Sequence, residues 1–242
     1  MRETLSAITC KACGGDSKKM ISLIMRMLFY VLPKDKFSDQ EIAEFGSIVF
    51  TINNGETINY EAPFPKYRFL QYLSLKQNYL FHGSNNHSID LFEPREQTLF
   101  NNKLTKAVFA TSDPVWSMFF AVFDRSKLVG SFRNGCLVYK DMKYHYYSLN
   151  KFTSMNYPWT EGMVYILPKD IFKRSDTGKI HFDEWISHDY VRPIGKLVVG
   201  IDDFYYKDKV AIHEPRESVL RTWLLYKRRT LKAESRMASN SR

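Results

Sequence analysis

The hydrophobic pattern of the chain changes near residue 76, and this change restricts the fold more than any other feature of the sequence. Before it, apolar residues recur at the spacing of helices. After it, short apolar runs of the β type follow one another, and only two helical stretches interrupt them. Strands that do not alternate regularly with long helices indicate an α+β fold with an antiparallel or mixed sheet, rather than a doubly wound parallel one.

The pattern also places the individual elements. The N-terminal region is predicted to contain three helices and one strand-like segment that turns at 53–55: the helices over 17–32, near 39–44 and near 67–74, and the strand over 47–52. Two later helices are predicted, over 114–123 and 218–228. The later strands are predicted over 79–82, 107–110, 136–139, 144–149, 163–167, 184–187 and 196–201. We therefore divide the chain into a mainly helical region, a main domain and a basic, flexible tail, over 1–75, 76–230 and 231–242.

Composition excludes several classes of protein. The 242 residues include 18 Phe, 15 Tyr and 4 Trp, enough apolar material for a packed core, which excludes global disorder. Three cysteines are too few for a secreted disulfide scaffold, and an odd number of them cannot all pair with one another. Cys10-x-x-Cys13 resembles half of a zinc site, but structural zinc needs four ligands and only Cys136 and scattered histidines remain. We therefore expect free thiols and no metal.

The most apolar run, Met20–Leu32, bears on whether the chain enters a membrane. It covers 13 residues and contains Arg26, whereas a helix that spans a bilayer needs roughly 20 largely uncharged residues. The run also lacks the small-residue cleavage site of a signal peptide. We predict a buried helix that ends at Pro33, with docking to a membrane or to a partner protein as the alternative. The chain is expected to be cytoplasmic and to have no membrane span.

Three segments combine polar side chains with the ends of predicted strands. Residues 79–84 (YLFHGS) form an apolar strand that ends in a polar corner. Residues 108–111 (VFAT) lead into a helix that carries Ser117 and Phe120. Residues 183–186 (DEWI) begin a third strand.

Taken together, these segments resemble the ADP-ribosyltransferase superfamily, in the diphtheria-toxin-like branch that includes the poly(ADP-ribose) polymerases. That branch carries a His-Tyr-Glu triad on three strands of a split β-sandwich. The HGS corner resembles the family's His-Gly-Ser/Thr strand end, and DEWI resembles its Asn-Glu-Tyr-Ile element, which makes Glu184 the catalytic glutamate. Residues 108–111 fall where the family has Ile-Tyr-Phe-Ala, so Phe109 stands at the tyrosine position.

The resemblance covers residues 79–205, roughly half of the chain. It implies an α+β fold of the ADP-ribosyltransferase-like split β-sandwich type over the main domain. The N-terminal helical region would pack on this domain or regulate it, and the chain would close with a basic C-terminal helix.

The resemblance also implies that NAD is the co-substrate and gives each site residue a role. Glu184, His82 and Phe109 would form the catalytic set. The HGS corner, with Gly83 and Ser84, would bind NAD. The Gly83 backbone and the Ser117 hydroxyl would hold the nicotinamide carboxamide, and Phe109 and Phe120 would stack on the ring. His82 would hold the adenosine-side ribose, and Arg95 is a pyrophosphate candidate on its charge alone.

The residue types suit this chemistry independently of the resemblance. Cleavage of the glycosidic bond of NAD passes through an oxocarbenium-like cation, as in glycoside cleavage. A carboxylate beside the ribose, here Glu184, holds a hydroxyl and places negative charge next to the developing cation. Ordinary structural interpretations also exist: His82 as a strand-end histidine, Phe109 and Phe120 as core aromatics, Glu184 as a solvated charge and Ser117 bonded to its own helix.

Two departures from the family's pattern bear on activity. Phe109 keeps the stacking face of the tyrosine and lacks its hydroxyl, which leaves open an altered acceptor or a non-catalytic relative. Phe182 stands two residues before Glu184, where arginine-modifying toxins of this fold have Glu or Gln. Transfer to arginine is therefore not expected.

The acceptor is predicted from charge and aromatic content. The net charge of +9, the cluster Lys227-Arg228-Arg229 and aromatic residues such as Tyr146 favour nucleic acid, with an unpaired base of RNA or single-stranded DNA as the target. An enzyme that marks nucleic acid is toxic to its own cell. We therefore expect the toxin of a toxin–antitoxin or phage-defence system, restrained by an antitoxin or inhibitor protein that docks on helix 20–32. Two alternatives stay open: a protein acceptor, and a non-catalytic module of the same fold that binds NAD or ADP-ribose.

Overall fold

The computed structural model of the chain describes residues 16–52, 55–76, 78–99 and 103–240. Within these residues it has the α+β fold that the sequence pattern predicts, with six α-helices and eleven strands. None of the helices in this part of the chain is both long and apolar enough to cross a membrane. Cys10 and Cys13, and the turn predicted at residues 53 and 54, lie outside the described residues.

Five of the helices and seven of the strands match predicted segments, whereas four strands and one short helix were not predicted. The helices are α1 (Asp16–Leu28), α2 (Asp39–Thr51), α3 (Lys66–Lys76), α4 (Pro114–Val122), α5 (Lys151–Met155) and α6 (Val219–Asn240). The strands are β1 (Tyr79–Ser84), β2 (Arg95–Thr98), β3 (Leu104–Ala110), β4 (Phe132–Tyr139), β5 (Met142–Asn150), β6 (Gly162–Pro168), β7 (Lys173–Arg174), β8 (Ile180–Phe182), β9 (Trp185–Ser187), β10 (Gly195–Val199) and β11 (Val210–His213).

The strands form three open sheets, with the orders β1-β6-β10, β11-β5-β4-β8 and β2-β3-β9-β7. Two of these sheets meet at one point, where Phe81 of β1 and Thr111, just after β3, exchange backbone hydrogen bonds of 2.8 and 3.0 Å. From there the two strands separate, because β1 pairs with β6 while β3 pairs with β9. The strand ends that carry His82 and Phe109 therefore face each other across a gap.

Helix α4 packs against β1 and β6 behind this gap. Asp113 caps its first turn by accepting a hydrogen bond from the Trp116 backbone N–H at 2.7 Å, and Pro114 stands at its start. Two glycines permit the close approach. A Cβ at Gly83 would lie 1.8 Å from the Ser117 carbonyl oxygen, and a Cβ at Gly162 would lie 1.9 Å from that of Ala121. Both positions therefore require glycine for packing alone.

The described part of residues 1–75 belongs to the same hydrophobic core as the sheets. Ile21 and Met25 of α1, Phe45 of α2 and Phe69 of α3 are buried in one cluster with Phe119 of α4. These contacts place the described part of the region in the common core, while its treatment as a separate region stays a prediction. Burial of α1 is one-sided, since Met20, Leu23 and Met27 are exposed.

Two predicted boundaries in this region are wrong. Residues 47–51 are helical rather than a strand, because Phe45, Ile48, Val49 and Ile52 meet the core at the i, i+3, i+4, i+7 spacing of a helix face. A capping box between Ser38 and Glu41 starts this helix. Helix α1 ends at Leu28, before the predicted end at Leu32, because Tyr30 pairs with His145 of β5 through hydrogen bonds of 3.0 and 2.7 Å.

The C-terminal helix is longer than predicted. Helix α6 continues to Asn240, so residues 231–240 are helical where an irregular tail was expected. The sequence from 229 to 240 contains neither Gly nor Pro and is rich in Leu, Lys, Ala, Glu, Arg and Met, which favour helices. An ion pair between Lys209 and Glu234 also attaches this part of the helix to the rest of the protein.

Candidate functional site

A cleft of about 470 Å³ opens where β1 and β3 separate. Its volume lies within the range of small-molecule sites, which is roughly 300–1,000 Å³. Eight residues that the sequence singled out line this cleft: His82, Gly83, Ser84, Arg95, Phe109, Ser117, Phe120 and Glu184. They come from the ends of β1 and β3, the edge strand β2, helix α4 and the residue before β9, and the fold brings them to one place.

His82 spans the gap between the separated strands. Its Nδ1 lies 2.7 Å from the Phe109 carbonyl oxygen, and its ring meets Phe92 edge-on with centroids 4.8 Å apart. A carbonyl only accepts, so Nδ1 carries the proton and Nε2 remains an acceptor. Burial lowers the pKa of His82, and the charges of Arg125 and Arg95 lower it further against the opposing effect of the Phe109 carbonyl. The imidazole is therefore neutral near pH 7 and can accept a hydrogen bond from a hydroxyl.

Gly83 and Ser117 form the floor of the cleft, and both have structural reasons to be there. Gly83 is required by the packing of α4, as described above. The buried Ser117 hydroxyl donates to the Pro114 carbonyl of its own helix at 2.7 Å. Its oxygen keeps lone pairs that can accept a hydrogen bond from an amide N–H, so the two interpretations of Ser117 are compatible. Ser84 accepts from the Asn86 backbone N–H at 3.1 Å.

Two half-buried rings, Phe109 and Phe120, stand on the walls of the cleft. Trp116 lies 5.9 Å from Phe120, centroid to centroid, and also lines the cleft. The guanidinium of Arg125 lies over the Phe120 ring at 5.4 Å, within the range of a cation–π contact. Sequence analysis missed Arg125, and only its charge directly after the predicted helix could have indicated it.

Glu184 lies directly before β9 and is half-buried in the cleft wall. The Ser175 hydroxyl donates to its Oε2 at 2.8 Å, and the Ser175 backbone N–H donates to its carbonyl oxygen at 3.0 Å. The carboxylate is therefore held by a neighbouring loop at the point where it lines the cleft. Phe109 and Ile186 face each other in the β3–β9 register, which fixes the spacing of Glu184 from β3.

Behind Glu184 lies a group of charged residues that we call the ion network: Asp113, Lys143, His145 and Asp183. Lys143 Nζ is 2.8 Å from Asp183 Oδ2 and 3.8 Å from Asp113 Oδ2. His145 Nε2 is 3.1 Å from the same Asp113 oxygen. The side chains of the two aspartates are only 4% exposed, whereas that of Lys143 is 31% exposed. The network thus joins β5, the start of α4 and the residue before Glu184.

The two aspartates and the lysine of the ion network remain ionised in the folded protein. Burial would raise the pKa of Asp113, but His145 and Lys143 lower it below its ordinary value. Burial would likewise raise the pKa of Asp183, and Lys143 lowers it. For Lys143, burial alone would lower the pKa, yet the two aspartates raise it above the ordinary range. Both carboxylates and the ammonium are therefore ionised near pH 7, and they hold one another in place.

Two members of this network, together with the nearby Cys136, have the composition of a metal site. Asp113, Cys136 and His145 are buried, and one ligand atom of each lies within 4.8 Å of the others. Burial raises the pKa of the Cys136 thiol well above its usual value, and the charge of Asp113 adds to this rise, so the group remains a thiol near pH 7. A thiol is a poor metal ligand. The expected absence of a metal stays a prediction.

The residues predicted to contact nucleic acid lie outside the cleft lining, on β5 and α6. The prediction for Tyr146 is wrong, because its ring is buried between Phe29 and Trp223, at centroid distances of 5.4 and 5.7 Å, and cannot stack on a base. The neighbouring lysines gave no sign of this burial, which comes from helices α1 and α6.

The basic cluster on α6 is partly engaged within the protein. Lys227 Nζ donates to the Arg26 carbonyl oxygen at 2.5 Å and lies over the Tyr30 ring. Arg229 binds both carboxylate oxygens of Glu217, at 2.7 and 2.6 Å. Arg228 is exposed. The cluster serves first to attach α6.

Comparison of the chain with family models, with curated proteins and with solved structures found no match. The function of the cleft therefore has to be argued from its own residues.

Proposed function

We propose that this protein is an NAD-dependent mono-ADP-ribosyltransferase with the split β-sandwich of the diphtheria-toxin-like branch, and that it transfers ADP-ribose to a base of single-stranded RNA or DNA. The observation that carries the proposal is convergence. Seven residues chosen for their order and spacing along the sequence, from position 82 to position 184, line one cleft of suitable volume, together with Arg95, which was chosen on its charge. A chance resemblance of three short motifs gives no reason for them to meet.

The proposed reaction uses the residues as follows. The bond between the ribose C1′ and the nicotinamide nitrogen breaks, and nicotinamide leaves with the bonding electron pair. Positive charge then develops on the ribose, as in glycoside cleavage. The Glu184 carboxylate holds a ribose hydroxyl and stabilises that charge. A ring or exocyclic nitrogen of the acceptor base forms the new bond to C1′ and releases a proton to solvent.

Binding of NAD is assigned to the other cleft residues. The neutral His82 offers Nε2 as an acceptor for a ribose hydroxyl. Phe109 and Phe120 supply flat apolar faces for the nicotinamide ring. Arg95 and Arg125 both line the cleft, and the charges of both act on His82. Guanidinium groups that line a cleft suit the pyrophosphate of NAD.

The acceptor class rests on charge. The chain carries 35 Lys and Arg against 26 Asp and Glu, and such an excess attracts phosphate backbones. An enzyme of this kind has to be restrained, so we propose a toxin of a toxin–antitoxin or phage-defence system that acts in the cytoplasm. The exposed residues Met20, Leu23 and Met27 on α1 are the proposed contact for an antitoxin or inhibitor protein.

The test uses NAD labelled in the adenylate, incubated with the purified protein and separate pools of RNA, single-stranded DNA and cell protein. We expect label in a nucleic-acid pool and release of nicotinamide. Glu184→Gln keeps the size and hydrogen bonds of the side chain but removes its charge, so both signals should fall by about 10²–10³-fold. Glu93→Gln is the matched control, because Glu93 also lines the cleft and has no assigned role.

The alternatives give different results. Label in the protein pool alone, lost with Glu184→Gln, identifies a protein acceptor. Binding of NAD without release of nicotinamide, in wild type and Glu184→Gln alike, identifies a non-catalytic module. His82→Ala should weaken the binding of NAD, and unchanged affinity and turnover in that variant would contradict the role given to His82.

A further inference from the structure

An exposed aromatic surface adjoins the cleft at the far end of α4. We define the ledge as Phe152 and Met155 of α5 and Tyr157 of the turn that follows. Their exposed fractions are 52%, 65% and 79%. Large apolar side chains grouped within six residues and this exposed indicate a contact surface rather than a scattered surface residue.

Hydrogen bonds connect the ledge to residues 122–129, the segment that contains the cleft residue Arg125. The backbone of 158–160 lies along that of 122–124, with Asp124 N–H donating to the Pro158 carbonyl and Thr160 N–H to the Val122 carbonyl, both at 3.0 Å. Thr153 and Val129 exchange two hydrogen bonds, of 2.7 and 3.0 Å. Arg125, which lines the cleft, therefore lies between the cleft and the ledge along one continuous segment.

The backbone at Tyr157 has an uncommon conformation. Its φ is +49°, in the left-handed region that bulky residues avoid at a cost of roughly 1–3 kcal/mol. Hydrogen bonds hold it there: Tyr157 N–H donates to the Ser154 carbonyl at 3.3 Å, and Lys127 Nζ and Trp159 N–H donate to the Tyr157 carbonyl at 3.2 and 2.8 Å. The fold thus maintains a strained residue whose ring is left in solvent.

The charge around the ledge is positive. Segments 123–130 and 151–161 carry Arg125, Lys127 and Lys151 against Asp124 and Glu161. Asp124 Oδ1 accepts from the Ser126 hydroxyl and backbone N–H at 2.6 and 3.0 Å. Its Oδ2 lies 3.9 Å from Lys127 Nζ and offsets part of that charge, which leaves Arg125 and Lys151 as the other cations. Cations beside exposed aromatic rings are the combination with which proteins bind single strands, because lysine and arginine contact phosphates and bases stack on the rings.

We propose that the ledge binds the single-stranded nucleic acid that accepts ADP-ribose, with bases stacked on Phe152 and Tyr157 and phosphates near Lys127 and Lys151. This inference rests on the proposed function and extends it by giving the acceptor a path to the cleft through Arg125. A nucleic acid is favoured over a protein partner because the ledge combines aromatic rings with cations. The exposed side of α1, in contrast, has cations beside the aliphatic residues Met20, Leu23 and Met27 but carries no aromatic ring.

The binding experiment measures fluorescence anisotropy of labelled oligo(U) and oligo(dT) of about 12 nucleotides, since single-strand sites span roughly 4–16 nucleotides. The double variant Phe152→Ala/Tyr157→Ala should bind at least about 10-fold more weakly, because one stacked base contributes roughly 1–3 kcal/mol. Phe50→Ala is the matched control: Phe50 is 93% exposed on α2, and its removal should leave binding unchanged. Tyr157→Phe keeps the stacking face and should bind as wild type does.

Release of nicotinamide, measured without an acceptor, separates this inference from the proposed function. We expect the double variant to release nicotinamide at the wild-type rate and to lose transfer to the oligonucleotide. If the double variant bound the oligonucleotide as strongly as wild type does, the proposed role of the ledge would be overturned. Loss of transfer to cell protein, with transfer to the oligonucleotide unchanged, would overturn it as well. Absence of nicotinamide release from every variant would overturn the proposed function, while the anisotropy result would still decide whether the ledge binds nucleic acid.

Discussion

Asp183 of the ion network and Glu184 of the cleft are consecutive residues, but their two carboxylates have opposite surroundings. Glu184 is half-buried in the wall of a cleft that is open to a ligand. Asp183 is closed off and bonded to Lys143, Ser112 and the Trp185 ring nitrogen at 2.8 to 3.0 Å. One carboxylate lines the cleft, and the other is enclosed by its protein partners.

This difference predicts which property of the protein each substitution should change. A charged group satisfied by protein partners is expected to affect stability when it is changed, whereas a group that faces the cleft is expected to affect ligand and turnover. Four predictions test that division, and the first concerns a cleft residue that should not obey it.

Gly83→Ala is expected to have the largest effect on stability, although Gly83 lines the cleft. The added Cβ would lie 1.8 Å from the Ser117 carbonyl oxygen and 2.8 Å from the Ala121 nitrogen, so α4 has to move. We expect the free energy of unfolding to fall by about 3 kcal/mol in urea denaturation, at the upper end of the usual cost of overpacking. Gly200→Ala is the control, because nothing lies within 4 Å of a Cβ there. Equal stability of the two variants would contradict the tight packing of α4.

Lys143→Met should be the next most damaging change, and it tests the ion network directly. It leaves two buried carboxylates without their shared cation. Because the Lys143 side chain is 31% exposed, we expect a loss of about 2 kcal/mol, below the roughly 3–5 kcal/mol for breaking a fully buried pair. Lys106→Met, at an exposed position of β3, is the matched control. If both variants unfold at the same urea concentration, the network does not contribute to stability.

His213 extends the comparison to a buried group that carries no charge. Its ring lies between the hydroxyl groups of Ser131 and Ser148, at 3.1 and 2.8 Å. Burial and the nearby Arg133 lower its pKa from 6.5 to about 4. The unfolded chain therefore takes up a proton between pH 6.5 and pH 4 that the folded protein does not, and stability falls across that range as the pH decreases.

We expect this effect to amount to about 1 kcal/mol by about pH 5.5 and to disappear in His213→Gln. Thermal unfolding midpoints from pH 8 to pH 4 would show it as a shallower slope in the variant. The difference at pH 8, where the histidine is neutral in both states, measures the lost packing and serves as the internal control. Parallel profiles for the two proteins would refute the assignment.

Phe109→Tyr should have the smallest effect. The ring is half-buried and its side chain lines the cleft, so an added hydroxyl can reach solvent there. We expect the free energy of unfolding to change by less than about 0.5 kcal/mol, as for most substitutions away from the core. The rate of nicotinamide release should not fall. A large fall would show that the site specifically requires the absence of the hydroxyl.

The sequence predicted the parts of the molecule that depend on local pattern. The strand ends at His82 and Phe109, and the position of Glu184 before β9, follow from short apolar runs with polar ends. The cleft itself could be predicted only through the resemblance, because its walls are far apart in the chain. Arg125 was missed, since a guanidinium stacked on Phe120 leaves no mark on a hydrophobic pattern.

The errors have one physical origin, which is burial by distant elements. The sequence predicted that Tyr146 is exposed, because lysines are near it in the chain. In the structure, α1 and α6 cover this part of β5. Lys143 looked like a surface cation, and nothing near it in sequence indicates that Asp113 and Asp183, 30 and 40 residues away, surround it. Residues 47–51 contain β-branched side chains that suit a strand, and tertiary packing of the Phe45 face made them helical.

The pairing of β1 with β6 has a consequence for the synthesis of this protein. Tyr79 faces Pro168 in that pair, and β6 is covered on its other edge by β10, which ends at Val199. Contacts between such distant segments form late in folding. The ribosome must therefore synthesise about four fifths of the chain before β1, β6 and β10 can form one sheet. A nascent chain can therefore carry every residue that lines the cleft before the sheet that supports the cleft has formed.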